Sequence, residues 1–369
     1  MAAVIGAGVG AGVGAGAVDG LVPIILAGGK GERFWPLSRF HRPKQFLCLD
    51  GGDRSLLQAT GDRLGALCGG EDKLWVVTAS HLADGVRSQM PGLPEENLLV
   101  EPQGRDTAPA VAWAALMAAE RYGEDAILGF FPADHWIGDP AAFAKTLQAA
   151  VAVAKEKQAI VTLGITPDQP ATGYGYIEQG ETVGEFIGAT AYQVSRFTEK
   201  PDRETAEEFL ATGRFTWNSG MFVFPAGMVI EELRRHAPEI LEPLAAKGVD
   251  AYDELPKLSV DYALMEKTDR ACVLPAAFGW DDLGDWNAVE RLLRGDADNV
   301  IQGGHLCLDT QGCIIHTGDD QELVATVGLE DVVVVRDGNV TLVVHKSRTQ
   351  DIKKLVKQLK ENPKYRDRL

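Results

Sequence analysis

Residues 21–47 read LVPIILAGGKGERFWPLSRFHRPKQFL. The first six form a continuous apolar run, the pattern of a strand buried on both faces. The run ends in Ala27-Gly28-Gly29-Lys30-Gly31, where missing side chains let backbone N–H groups approach a phosphate closely. Lys30, Arg33, Arg39, Arg42 and Lys44 crowd this stretch against the single acid Glu32. The whole chain carries a formal charge of −17, so the loop is a local reversal, and we read all five cations as a device for holding a polyanion at the strand end. The spacing does not match G-x-x-x-x-G-K-[ST], so this is not a Walker A loop.

Outward from the loop, strand-like runs recur at 74–78, 97–100, 126–131 and 159–163. Helical periodicity occupies 56–67, 81–89, 108–122 and 141–157. Strand and helix alternate at βαβ spacing, which predicts an α/β, Rossmann-like fold with a mixed, mostly parallel sheet covered on both faces. Ligands of such sheets bind outside the carboxyl ends of the strands. From about residue 173 shorter strands (174–178, 192–198, 221–224) read as a mixed extension of the same domain. After residue 296, Gly- and Asp-punctuated strands at 305–308, 313–316, 323–327, 332–335 and 340–345 form a small C-terminal β-rich module, closed by a basic amphipathic helix over 351–361. The expected division is a flexible Gly/Ala leader over 1–20, a catalytic domain over 21–296 and the β-module over 297–369. The module carries no cluster of catalytic residue types, and stability or association is its expected role.

Composition excludes several classes. With 369 residues, 45% of them hydrophobic, the chain can bury a large core and a smaller one. The acidic balance argues against nucleic acid or an anionic membrane surface as a partner. No apolar stretch has the length and flanks of a membrane span. Five scattered cysteines without a C-x-x-C pair read as reduced thiols in a cytoplasmic protein. In the leader, Gly6-Ala7-Gly8-Val9-Gly10-Ala11 fits a loose G-x-G-x-x-G/A fingerprint, but a Gly/Ala repeat does so by composition alone. A nicotinamide oxidoreductase built on those glycines is therefore only a rival reading.

Gly28, Gly29, Gly31, Arg33, Pro36, Leu37, Ser38, Pro43 and Lys44 together resemble the G-G-x-G-x-R-x-x-P-L-[ST]…P-K signature of the sugar nucleotidyltransferase superfamily. The wording around Phe34–Arg39 and Pro43–Leu47 is most similar to bacterial mannose-1-phosphate guanylyltransferases. The resemblance runs from about residue 21 to residue 369 and implies a GT-A-like catalytic domain followed by a short β-helix-type segment. The cupin-like isomerase domain of some longer relatives is not expected, because only about 70 residues follow the catalytic part. The implied reaction joins GTP and mannose 1-phosphate with Mg²⁺ as cofactor, in a homodimer.

The resemblance also assigns residues. Arg33, Lys44, Asp134 and Asp282 are the catalytic set, with Asp134 and Asp282 as metal ligands. Ala27, Gly28, Gly29 and Gly31 lie against the nucleotide, as do Arg105, Asp106, Thr107, Ala108 and Pro109 of the Glu101-Pro102…Arg105–Ala110 segment. Asp106 stands where the family usually has Asn. It can accept from the N1–H and N2–H₂ edge of guanine, or Asp106 or Thr107 can simply cap the following helix. Gly173 of Thr172–Ile177, Glu199 and Lys200 of Phe197–Pro201, and Asn218 of Trp217–Phe222 are expected at the sugar phosphate. His135 is read as packing or support, since attack by a phosphate needs no base. In Phe278–Trp286, Asp281 and Asp285 compete with Asp282, and the motif alone selects Asp282. The alternatives are the same chemistry on another base or sugar, and a catalytically silent sugar-nucleotide sensor.

Overall fold

The computed structural model describes residues 17–295, 297–319 and 321–369. The glycine fingerprint at 6–11 lies outside the described residues. Among the described residues, contacts are already made before the first strand. Val18, inside the stretch expected to be a flexible leader, is 4% exposed and donates its N–H to the Leu67 carbonyl at 2.9 Å.

A nine-stranded sheet forms the centre. Its strands are β1 (Leu21–Leu26), β2 (Trp75–Ala79), β3 (Leu98–Glu101), β4 (Ile127–Pro132), β6 (Ile160–Ile165), β7 (Gly175–Phe186), β8 (Ala189–Glu199), β9 (Phe215–Pro225) and β10 (Ala271–Ala276). Two-residue strands β5 (Trp136–Ile137) and β11 (Trp280–Asp281) pair separately. The order is β3-β2-β1-β4-β9-β6-β10-β8-β7; β3, β2, β1 and β4 are parallel, as are β6 and β10. β9 and β8 run antiparallel to their neighbours, and β7 also pairs with β9, so β9, β6, β10, β8 and β7 close on themselves. The sheet is the mostly parallel, mixed one that the alternation predicts. β10 is not among the expected strands.

Burial on both faces explains the continuous apolar runs. Along β1, Leu21 and Ile25 join one core with helices α1 (Leu56–Cys68), α2 (Ala83–Gln89) and α4 (Pro140–Lys157). Ile24, between them, joins the opposite core under α3 (Thr107–Tyr122), α6 (Ala226–His236) and α7 (Pro238–Lys247). α5 (Arg203–Thr212) adds Phe209, stacked on Phe215 of β9 at 3.9 Å between ring centroids.

Beyond α8 (Trp286–Leu293), the β-module consists of β12 (Val300–Gln302), β13 (Gly304–Leu308), β14 (Ile314–Thr317), β15 (Leu323–Val327), β16 (Val332–Asp337) and β17 (Val340–His345), then α9 (Ile352–Glu361). β12, β14 and β16 form one parallel ladder, and β13 and β15 another, as stacked coils do. This module packs on the signature loop. Phe34, Trp35, Leu37 and Leu47 share a buried cluster with Trp286, Val333, Val335, Ile352 and Val356.

Two of the five loop cations depart from the expected role of holding a polyanion. Arg39 and Arg42 do not face a ligand: both bind the Asp337 carboxylate at the end of β16, at 3.0 and 2.9 Å. Trp35 Nε1 and Arg39 also donate to the Arg368 carbonyl, at 2.9 and 2.6 Å. Part of the loop's positive charge is thus a domain fastener. Its partners lie about 300 positions away, beyond the reach of a local reading. Replacing Asp337 by Ala removes the carboxylate that both guanidinium groups share and leaves them main-chain acceptors only, and we expect a loss of about 1–2 kcal/mol of stability. Urea unfolding of the variant beside wild type measures this.

Candidate active site

The signature loop is shaped by one close approach. Gly31 has φ 58°, and a Cβ there would lie 2.2 Å from Lys44 Cβ. The Ser38 hydroxyl fixes the Gly31 carbonyl at 2.8 Å. Lys44, 5% exposed, enters the space so created. Its ammonium donates to Asp134 Oδ2 at 2.8 Å and to the Asp282 carbonyl, joining the segments that follow β1, β4 and β10.

The two carboxylates beside Lys44 differ. Burial pushes the Asp134 carboxyl upward, but the contacting ammonium outweighs it and holds the group below its usual range. Lys44 meets only the main chain of Asp282, so burial wins there and the carboxyl is raised, although Tyr174 Oη donates to Asp282 Oδ1 at 3.0 Å. The neighbouring acids are fully engaged. Asp281 binds Arg291 at 2.8 Å and the Leu283 N–H at 2.7 Å. Asp285 caps α8 through the Asn287 N–H at 3.0 Å and accepts from Thr349 and Gln350 at 2.8 and 2.6 Å. Trp280 Nε1 donates to His135 Nδ1 at 3.2 Å, and burial lowers this imidazole to about 4, so it is neutral near pH 7.

Two cavities meet at this junction, and Asp134, His135 and Asp282 border both. A cleft of about 430 Å³ runs from Glu101, Gly104, Asp106 and Thr107, past Gly28 and Gly29, to Gly173, Glu199, Asn218 and Asp261. A cavity of about 300 Å³ on the other side is lined by Lys30, Gly31, Arg33, Lys44 and Lys353. Strand register assembles the far end of the cleft. Gly175 faces Glu199, Tyr176 faces Trp217, and Asn218 sits where the β6–β9 register shifts. Lys200, next to Glu199 and ion-paired with it, has φ 48°.

Some expected residues do not face the cleft. Ala27 is 1% exposed; its N–H donates to Val77, and its carbonyl accepts from Gln45 and Thr78, both at 3.0 Å. Arg105 donates to the Tyr252 and Asp253 carbonyls at 3.0 and 2.9 Å, and Ala108 and Pro109 are buried in α3. These four hold the walls. Asp106 borders the cleft but caps α3, accepting the Thr107 N–H at 2.9 Å.

Residues 22–299 match the nucleotidyl transferase family, and residues 303–359 match the MannoseP isomerase/GMP-like beta-helix domain. The chain belongs to the nucleotidyl transferase family. A mannose-1-phosphate guanylyltransferase of Escherichia coli (strain K12) is 40% identical over 368 residues, covering 95% of this chain and 75% of that protein. The alginate biosynthesis protein AlgA of Pseudomonas aeruginosa is 42% identical over 357 residues, 92% of this chain and 72% of the relative. The crystal structure of a mannose-1-phosphate geranyltransferase from Thermus thermophilus superposes with a TM-score of 0.83 at 36% identity, covering 92% of this chain and 99% of that one.

In this nucleotidyl transferase the sequence reading misses Asp261, and it names Glu101 and Tyr174 only as members of their motifs, without a role of their own. Glu101 is 5% exposed, its Oε1 is buried without a hydrogen-bond partner among the described residues, and burial raises its carboxyl to about 7. Asp261 accepts from Asn218 Nδ2 at 2.9 Å and is raised by burial to about 6. Its only local signal is a lone acid followed by the apolar Tyr262–Met265 in a π turn, an irregularity that often marks functional sites. Tyr174 is legible in the sequence only as part of a glycine loop.

The different duties of the acids predict opposite effects on folding. Asp285→Ala removes a helix cap and two further acceptor contacts, so it should cost about 2 kcal/mol. Asp282→Asn relieves a buried charge and should leave stability unchanged or raised. Thermal unfolding of the two variants tests the pair.

Proposed function

We propose that the chain transfers a guanylyl group from GTP to α-D-mannose 1-phosphate, giving GDP-mannose and diphosphate. The observation that carries this reading is the junction of Lys44, Asp134 and Asp282 between a long cleft and a cationic cavity. The cleft has room for a base at one end and a sugar at the other, and the cavity suits the departing phosphates. An oxygen of the sugar phosphate attacks the α-phosphorus in line. The bond from that phosphorus to the bridging oxygen breaks, and diphosphate leaves with the electron pair. The nucleophile is already an anion, so the protein's work is alignment and charge neutralisation. The neutral, hydrogen-bonded His135 is in keeping with a mechanism without a general base.

Lys44 and Arg33 would neutralise the phosphates. Gly28, Gly29 and Gly31 allow the main chain close to them. Gly173, Glu199, Asn218 and Lys200 would hold the sugar phosphate, with Asp261 fixing the Asn218 amide. Asp134 and Asp282 suit a hard divalent ion: both offer only oxygen, and burial, with smaller contributions from the Asp281 and Asp134 charges, raises the Asp282 carboxyl despite the nearby Lys44. They would hold Mg²⁺, which withdraws charge from the reacting phosphates when bound. Asp106 gives Oδ1 to the helix cap, and we take the more deeply buried Glu101, at the same end of the cleft, as the acceptor for the guanine edge. We assign the domains to residues 21–296 and 297–369 and place the enzyme in the cytoplasm as a homodimer. Among the described residues no helix is long and apolar enough to cross a membrane. Leu306, Leu308, Leu323 and Val327 form an exposed apolar stripe on β13 and β15, and light scattering at a dimer mass would support the assembly.

Diphosphate release across a panel of nucleotides and sugar phosphates is the decisive assay. GTP with mannose 1-phosphate should be the fastest pair; a faster alternative pair reassigns the substrate, and binding without turnover favours a sensor. Arg33→Ala and Lys44→Ala should each lower turnover by at least ~100-fold.

Guanosine carries no phosphate to titrate, so it isolates the base pocket. Protonated Glu101 loses its acceptor role, so guanosine affinity should fall as pH drops through about 7 and level off above it. Glu101→Gln should flatten that profile. Calorimetric titration across pH reads both, and an unchanged profile in the variant removes Glu101 from the base pocket.

A further inference from the structure

The cationic cavity contains one group that does not belong to the catalytic domain. Lys353 lies in the first turn of α9, directly after Ile352, which is 2% exposed and packed in the cluster beneath the signature loop. It reaches the same cavity as Lys30, Arg33 and Lys44. α9 runs on directly from a 3-10 helix over Lys346–Asp351, which fixes the direction in which Lys353 leaves the module. The next residue, Lys354, is compensated by Asp351 at 2.7 Å. Lys353 has no ion pair or hydrogen bond among the described residues.

Its neighbours sharpen the point. Arg33 donates only to the Gly284 carbonyl, at 3.3 Å, and its Nε is buried without a partner among the described residues. Of the three acids that line the cavity, Glu32 is paired with Lys360 at 2.5 Å, Asp134 with Lys44 at 2.8 Å, and Asp282 accepts from Tyr174. Burial first, and then the nearby Arg33, lowers the Lys353 ammonium below its usual value. Glu32 opposes this shift without cancelling it. Such an arrangement is costly when empty and favourable around a polyanion.

We propose that Lys353, supplied by the C-terminal module, binds the β- and γ-phosphates of the nucleotide and the departing diphosphate together with Arg33. This rests on the guanylyl-transfer reading for the identity of the anion. It gives the β-module a direct part in the reaction, where the sequence suggests only stability or association.

Inorganic pyrophosphate with Mg²⁺ is the probe, titrated calorimetrically into the full chain, with guanosine titrated separately. Lys353→Gln should weaken pyrophosphate by at least ~10-fold, the scale of one charge-assisted contact, and leave guanosine unchanged. Lys353→Arg should restore most of the loss, and Lys354→Gln should bind both probes as wild type does. Pyrophosphate affinity within about twofold of wild type in Lys353→Gln overturns the proposal, since one charge-assisted contact is worth more than that. Equal loss of both probes also overturns it, as does a wild-type chain that does not bind pyrophosphate. These titrations use no sugar. A chain that binds as expected but makes no GDP-mannose therefore counts against the substrate reading alone.

Discussion

A buried ammonium must find acceptors, and the architecture of the site follows from where Lys44 finds them. One is a carboxylate at the end of β4 and the other a main-chain carbonyl beyond β10. The cation therefore ties together three loops that leave the sheet at different strands. Gly31 is required because its Cα lies against the lysine stem. Asp134 stays ionised because the ammonium touches it, whereas Asp282, a little farther off, is left to the dominance of desolvation. One contact sets the shape of the loop and the unequal character of the two acids.

The β-module is joined to that loop by a second set of interactions that uses the same stretch of sequence. Arg39 and Arg42 hold Asp337, Trp35 holds the main chain at Arg368, and an apolar cluster fills the space between. Between Lys30 and Lys44 the cations therefore divide by direction. Lys30, Arg33 and Lys44 face the cavity, while Arg39 and Arg42 face the module. This division explains why a chain so acidic overall concentrates its positive charge here. Part of it lines the cavity we assign to the phosphates, and part meets the chain's own carboxylate.

Much of this is legible in the sequence, for identifiable reasons. The runs that form β1, β4 and α3 are long, strongly patterned and buried, so period and composition decide them. The signature from Gly28 to Lys44 is legible because its glycines and prolines are demanded by backbone geometry. β10 is not: its strand, ACVLPA, is short and contains a proline. Asp261 and Lys353 are hidden as well, because each enters the site through a long-range packing arrangement. Asp106 borders the cleft and also caps α3. Sequence alone leaves both duties open to it, because one carboxylate oxygen can take the N–H beside it while the other stays free.

The segment Asp281-Asp282-Leu283-Gly284-Asp285 sends its three acids to three different places: an arginine on α8, the cleft, and a helix cap joined to the module. Each carboxylate is chemically interchangeable with the others, and only its position along the chain gives it a duty. The segment therefore behaves as a phase-sensitive code. Many single replacements alter one duty at a time, but inserting or deleting one residue would reassign all three together. Evolution along this stretch should proceed by substitution at fixed length, with its spacing more durable than its spelling.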